Sequence, residues 1–173
     1  KRKSPVAVLC SALGTVLLII LVALCLPLTL PRVLGYDIYT AISGSMEPAI
    51  PTGSLVYIEG ARPEEIKEGE VIAFYGANDS AAVITHRVVE NNTLMGQFTT
   101  KGDANEKADV NPVSYDDFIG KLALAIPYLG NLAQLFTSTE GKIGAGMVIL
   151  AALLLHAMGN ILEKRTEEKE LPH

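Results

Sequence analysis

Ser43-Gly44-Ser45-Met46-Glu47-Pro48, His86 and the aspartates Asp103 and Asp109 are the residues of this chain whose types could together break an amide bond. A serine hydroxyl is not ionised at neutral pH, so as a nucleophile it needs a base within hydrogen-bond reach. His86 is the one histidine between the two long apolar runs of the chain; His156 and His173 lie within and beyond the second run. A neutral imidazole can take a serine proton and later give it to a leaving amine. A carboxylate must orient that imidazole, and Lys101-Gly102-Asp103-Ala104-Asn105-Glu106-Lys107-Ala108-Asp109 supplies two. Asp103 follows a glycine at a strand end and Asp109 lies further on in a polar loop; spacing does not choose between them. Each feature also has a plainer reading. Ser-Gly-Ser can be a polar loop, a histidine on a strand can be structural, and either aspartate can cap a turn or pair with Lys101, Lys107 or Arg87. A single histidine without a neighbouring cysteine speaks against a His/Cys zinc site. Gly44 lets the backbone approach a substrate closely, and Pro48 stiffens the loop.

The elements that must hold these residues read as strands. Leu55-Val56-Tyr57-Ile58, Val71-Ile72-Ala73-Phe74-Tyr75, Ala82 to Val89, Gln97 to Lys101 and Leu122 to Ile126 are short β-branched and aromatic runs bounded by Gly, Pro, Asn and Asp. They predict a mainly β domain, an antiparallel sheet or small barrel. His86 falls mid-strand, Asp103 at a strand end, and Asn105 to Tyr115 reads as a polar loop. Tyr128 to Phe136 is apolar and is expected to run along a membrane surface. Asn78-Asp79-Ser80 and Asn91-Asn92-Thr93 match the glycosylation sequon, a frequent chance match to which no role is assigned.

The 173 residues are 49% hydrophobic, with a mean hydropathy of +0.32, and the excess is concentrated at the two ends. Pro5 to Pro31 carries no charge, nor does Ile143 to Leu162. A helix of about 20 apolar residues spans the hydrocarbon layer. The first run could also be a cleaved signal peptide, but it outlasts the usual apolar region and continues into Pro27, Leu28, Leu30 and Pro31 instead of a small-residue cleavage site. The second could be a buried helix; its Gly144, Ala145, Gly146 and Gly159 suit close packing in lipid. Lys1, Arg2 and Lys3 flank the first run, and Lys164, Arg165 and Lys169 follow the second. Basic flanks face the cytoplasm. The expected order is a cytoplasmic 1–5, a transmembrane helix over 6–30, an extracytoplasmic catalytic domain over 31–140, a second transmembrane helix over 143–162, and a charged cytoplasmic tail over 163–173 that ends as a short exposed helix. Residues 36–140 hold 15 acidic and 6 basic side chains, which excludes nucleic acid as a natural partner. Cys10 and Cys25 both lie in the first run, so the outer domain has no disulfide and depends on packing.

These boxes together resemble the type I signal peptidases. The likeness comprises the first apolar run, Ser43-Gly44-Ser45-Met46-Glu47-Pro48, Gly53, Val71-Ile72-Ala73-Phe74, Thr85-His86-Arg87-Val88-Val89, Lys101-Gly102-Asp103 with Asp109, and Ile119-Gly120-Lys121, in the family's order. One branch of that family uses a lysine base where this chain has His86; the other, found in archaea, the endoplasmic reticulum and some Gram-positive bacteria, uses histidine. The resemblance implies Ser45 as nucleophile, His86 as general base, Asp109 as the acid that orients His86, and Asp103 as a second important carboxylate. It implies that Ser43 and the Ser45 backbone N–H line an oxyanion hole. It further implies no metal or nucleotide cofactor, and as partners the lipid bilayer and the signal peptides of secretory preproteins with small residues at −1 and −3, with the secretion machinery as a further associate. Gly69-Glu70 stands where relatives often have Gly-Asp, a conservative change. The second apolar run favours a prokaryotic plasma membrane over the endoplasmic reticulum. A dedicated peptidase for a few matrix or pilus-like exported proteins, and an inactive membrane scaffold, are the alternatives that the sequence leaves open.

Overall fold

The computed structural model of the chain describes residues 5–76 and 82–170, with side chains as far as 165. Lys1, Arg2 and Lys3, the Asn78-Asp79-Ser80 sequon and the Lys169 side chain lie outside the described residues. The chain divides into two units, one made of its two ends up to Pro27 and from Leu135, the other of Leu28–Gln134.

The first unit is two long helices, α1 (Pro5–Val33) and α3 (Thr139–Glu170). Both are long and apolar enough to cross a membrane. Their outward surfaces carry Leu9, Ile19, Val22, Leu150, Leu154 and Ile161, all more than half exposed, as a helix apolar on all sides does when lipid is its solvent. Small residues form the seam between them. A Cβ on Gly14 would stand 2.9 Å from the Ala152 carbonyl, and one on Gly159 would stand 3.0 Å from that of Ala7, the close approach that small residues permit in lipid. α3 begins before the expected Ile143 and continues through the charged segment, because Lys164, Arg165 and their neighbours are good helix formers.

The second unit is one seven-stranded sheet in the order β1-β2-β7-β3-β4-β5-β6, every neighbouring pair antiparallel. The strands are β1 (Tyr36–Thr40), β2 (Leu55–Glu59), β3 (Val71–Tyr75), β4 (Val83–Asn92), β5 (Gln97–Lys101), β6 (Val113–Ser114) and β7 (Phe118–Ile126). β2 and β3 read as unbroken apolar runs because both of their faces are covered. Val56, Ile58, Val71 and Ala73 join Met46 and Ile50 in one cluster; Ile72 and Phe74 join Ile66, Val88, Phe98 and Val113 in another; Leu55 and Tyr57 meet Ala133 in a third. That third cluster is closed by α2 (Leu129–Thr137), whose Leu129 and Ala133 side packs on the sheet. The apolar stretch expected at a membrane surface thus has its own protein partner.

Two strands escape the sequence reading. β1 carries Asp37, a poor strand former, directly after a long helix. β6 is two residues long inside a polar loop and pairs only Gln97↔Ser114 and Phe98↔Val113. β4 is longer than expected because of a bulge at Val89, where the register moves from Val88↔Thr100 to Glu90↔Thr99. The extra residue turns Asn91, opposite Phe98, toward the covered face. There its Nδ2 donates to the carbonyls of Pro63 (2.9 Å) and Ile66 (2.8 Å), and its Oδ1 accepts the Tyr115 hydroxyl (2.5 Å). Asn91→Ala removes all three bonds and should lower the unfolding free energy by about 2 kcal/mol, read by denaturant titration of the detergent-solubilised protein. The same bonds occupy the nitrogen a glycan would need, so mass spectrometry should find Asn91 unmodified.

Candidate active site

Ser45 lies on a loop whose base and middle are separately fixed. At the base, the Ala41 N–H donates to the Ser54 carbonyl (2.9 Å) and the Gly53 N–H to that of Ala41 (2.8 Å). In the middle, the Ile50 N–H donates to the Met46 carbonyl (2.8 Å), and both side chains are buried in the sheet core. Glu47 accepts from the N–H (3.2 Å) and hydroxyl (2.8 Å) of Thr52, and these donors hold its carboxyl below its ordinary value. With Met46 drawn inward, the neighbouring Ser45 is left half-exposed beside a cavity of about 210 Å³ lined by Ala41, Ile42, Met46, Ile50 and Val56. The Ser43 hydroxyl stands 3.3 Å from the Ser45 hydroxyl.

His86 lies on β4 opposite Ile72 of β3, 9% exposed, with the Phe74 ring edge-on at 6.2 Å. Its Nδ1 stands 2.6 Å from Asp109 Oδ2. That same oxygen accepts the Thr100 hydroxyl at 2.7 Å, and the Asp109 N–H donates to the Thr100 carbonyl at 2.8 Å. Asp109, the more distant of the two aspartates in sequence, is therefore the one beside the imidazole. A second cavity of about 230 Å³ opens beside this group, toward Val110, Pro112 and Asp117.

Asp103 does a different task. Arg87, next to His86 but on the other face of β4, donates Nε (2.8 Å) and Nη2 (2.6 Å) to its two carboxylate oxygens, and Nη1 to the Gly69 carbonyl (2.7 Å). The Arg87 bonds hold the Asp103 carboxyl below the usual carboxylate range. From this anchor the chain turns toward the serine loop, and the Ala104 N–H donates to the Ser45 carbonyl at 2.9 Å. Gly102 makes the approach possible: a Cβ there would stand 2.6 Å from the Ser45 carbonyl oxygen. The β4–β5 register ends with Val88↔Thr100 and Arg87↔Lys101, so Gly102 follows directly on the last paired residue of β5.

The structure thus brings His86 and Asp109 into contact, ties Asp103 to Arg87, and docks the Ser45 loop onto the segment between those aspartates. The cavities beside Ser45 and His86 share Ile84 as a wall. Among the described residues no hydrogen bond joins the Ser45 hydroxyl to His86. Thr100 is the member that sequence reasoning passed over, since it looked like strand filler; Arg87 stood among the possible partners of either aspartate, and the structure pairs it with Asp103.

No family model matches the chain. Over 88 residues, 49% of this chain, it is 43% identical to signal peptidase I W of Bacillus subtilis, covering 45% of that protein. Over 128 residues, 68% of this chain, it is 32% identical to the signal peptidase complex catalytic subunit SEC11C of Homo sapiens, covering 66% of it. A SEC11 catalytic subunit from Fusarium vanettenii is 31% identical over 110 residues, 58% of this chain and 63% of that protein. The chain therefore spans less than two thirds of the length of each of these relatives.

The Arg87–Asp103 pair allows a test that is independent of activity. A carboxyl held below its unfolded value stabilises the fold above the unfolded pKa and loses that contribution as pH falls through the folded one. The melting temperature of Asp103→Asn should lie below that of the unaltered protein by a constant interval from pH 8 to about 5, and the interval should close below about pH 4. An interval that widens as pH falls from 7 to 6 would assign part of the stabilisation to a protonated histidine instead.

Proposed function

The chain belongs to the type I signal peptidase family, in its histidine-type branch, and from that premise we propose that it is a membrane-bound serine endopeptidase that removes signal peptides from exported preproteins. The observation that carries this reading is the 2.6 Å contact between His86 Nδ1 and Asp109 Oδ2, beside a loop in which Ser45 is half-exposed and the next residue, Met46, is locked in the core. With Asp109 as carboxylate, Nδ1 bears the ring proton and Nε2 has a free lone pair.

In this mechanism Ser45 Oγ attacks the scissile carbonyl carbon while His86 Nε2 takes its proton. The resulting oxyanion is met by the Ser45 N–H and the Ser43 hydroxyl, which stands 3.3 Å from Ser45 Oγ in the resting site. Collapse breaks the C–N bond, and His86 returns the proton to the departing amine. Water then attacks the Ser45 ester with His86 again as base, which releases the signal peptide and restores the serine. Among the described residues no hydrogen bond joins Ser45 to His86 in the resting site, and catalytic hydrogen bonds commonly tighten only with substrate bound. The small apolar cavity beside Ser45 suits short side chains at the −1 and −3 positions.

We also propose that α1 and α3 span the plasma membrane, with the sheet domain outside and the basic ends in the cytoplasm. A signal peptide arrives embedded in the bilayer, so an anchored enzyme meets it at a raised effective concentration. The relatives include catalytic subunits of signal peptidase complexes, which makes the secretion machinery a natural associate of this chain as well.

Two experiments test these readings. Cleavage of a model preprotein by the protein in detergent should be abolished in Ser45→Ala and reduced about 100-fold or more in Ser43→Ala; full activity in Ser45→Ala overturns the assignment. For orientation, a cysteine placed at Leu94, which is 98% exposed on the sheet domain, should react with an impermeant thiol reagent on intact cells, and one at Lys164 should not. Labelling of the second site shows that α3 does not cross.

A further inference from the structure

Thr100 combines three properties that strand packing alone does not call for. It is completely buried, its hydroxyl donates to the very oxygen of Asp109 that faces His86, and its carbonyl accepts the Asp109 backbone N–H. Valine has nearly the same shape and suits a buried strand position better, since it has no polar atom to satisfy.

Asp109 lies nine residues further along, at the end of an exposed loop (104–108). A loop does not by itself hold a carboxylate to the few tenths of an ångström that hydrogen-bond geometry requires. The backbone bond to Thr100 fixes where Asp109 leaves the loop, but it leaves the side-chain torsions free. The second bond, from Thr100 Oγ1, restrains those torsions. An ionised carboxylate oxygen is an acceptor only, and a threonine hydroxyl has a single proton to give. The bond therefore runs from Thr100 to Asp109, leaving a second lone pair of Oδ2 for the His86 Nδ1 proton. Because Thr100 sits opposite Val88 in the β4–β5 register, two residues from His86 on the same face, donor, acceptor and imidazole all refer to one rigid pair of strands.

We propose that Thr100 is a positioning residue for catalysis: its hydroxyl and carbonyl together clamp Asp109 so that one carboxylate oxygen is held against His86 Nδ1. This rests on the reading of His86 as base and Asp109 as its orienting acid. Thr100 touches neither substrate nor the reacting atoms and acts only through Asp109.

The test is Thr100→Val, which deletes the hydroxyl and keeps the shape and the backbone bond, together with Thr100→Ser, which restores the hydroxyl. On preprotein cleavage in detergent, Thr100→Val should lower kcat about tenfold, the effect of one lost hydrogen bond to a charged group, with KM unchanged, and Thr100→Ser should recover most of the loss. By proton NMR of the detergent-solubilised protein, the downfield His86 Nδ1 proton should be present in the unaltered protein and in Thr100→Ser, and broadened by exchange in Thr100→Val. If Thr100→Val does not fold, Thr100→Ala carries the same readouts. A Thr100→Val enzyme with unchanged kcat and an unchanged Nδ1 proton overturns the clamp, as does a loss that Thr100→Ser fails to restore. The underlying reading has its own control in Asp109→Ala: if that variant keeps full activity, it is the assignment of His86 and Asp109 that fails.

Discussion

Asp109 Oδ2 accepts from two donors at once, His86 Nδ1 at 2.6 Å and Thr100 Oγ1 at 2.7 Å, and the donors sit on neighbouring strands. Such an arrangement tolerates no slip. A shift of one residue between β4 and β5 would send Thr100 to the opposite face and leave Asp109 with the wrong neighbours. The register is held by burial on the face the site shares: Ile72, Phe74, Val88 and Phe98 all pack there. The same cluster that stabilises the sheet therefore sets the alignment of the imidazole. Substitutions in it should harm the site by geometry as well as by stability.

The serine belongs to a different part of the packing. Met46 and Ile50 anchor its loop in the cluster on the other side of β2 and β3, so Ser45 and His86 are carried by two separately stabilised bodies of side chains. What couples them is the turn at Gly102–Asn105. Arg87 holds one end of it through Asp103, and the Ala104 N–H holds the Ser45 carbonyl. The two aspartates of this short segment thus divide the work. One faces the imidazole. The other fixes the turn to which the serine loop is bonded.

The sequence made much of this legible, for physical reasons that also mark where it stopped. Unbroken apolar runs such as Leu55-Val56-Tyr57-Ile58 can be central strands only if both faces are covered, and they are. The long charge-free runs became the two long helices. β6, the bulge at Val89 and the helix over 129–137 depend on partners distant in the chain, so no local pattern announces them. The choice between Asp103 and Asp109 was open for the same reason. Which carboxylate reaches the imidazole is decided by the β4–β5 register and by the backbone bond that returns Asp109 to Thr100, neither of which spacing reveals. Resemblance to the family favoured Asp109 without supplying the cause. Thr100 carried no signal, because a threonine in a strand is what propensity alone would place there.

In the proposed mechanism this geometry also favours an imidazole over an amine as the base. A lysine working as base must be kept deprotonated, which requires a pocket that strips water from it and offers no opposing charge. The surroundings of His86 exclude much of the water but supply the opposing charge. A carboxylate stands at hydrogen-bond distance, its side chain still 26% exposed, and an open cavity lies beside it. An ammonium in that place would be paired with that carboxylate, which favours its charged form. An imidazole gains from the same neighbours, since the carboxylate holds the proton on one nitrogen and leaves the other free to accept, then steadies the imidazolium when it forms. The serine box alone is compatible with either kind of base. In the proposed mechanism it is Asp109 on its loop, bonded to Thr100, that suits the site to a histidine.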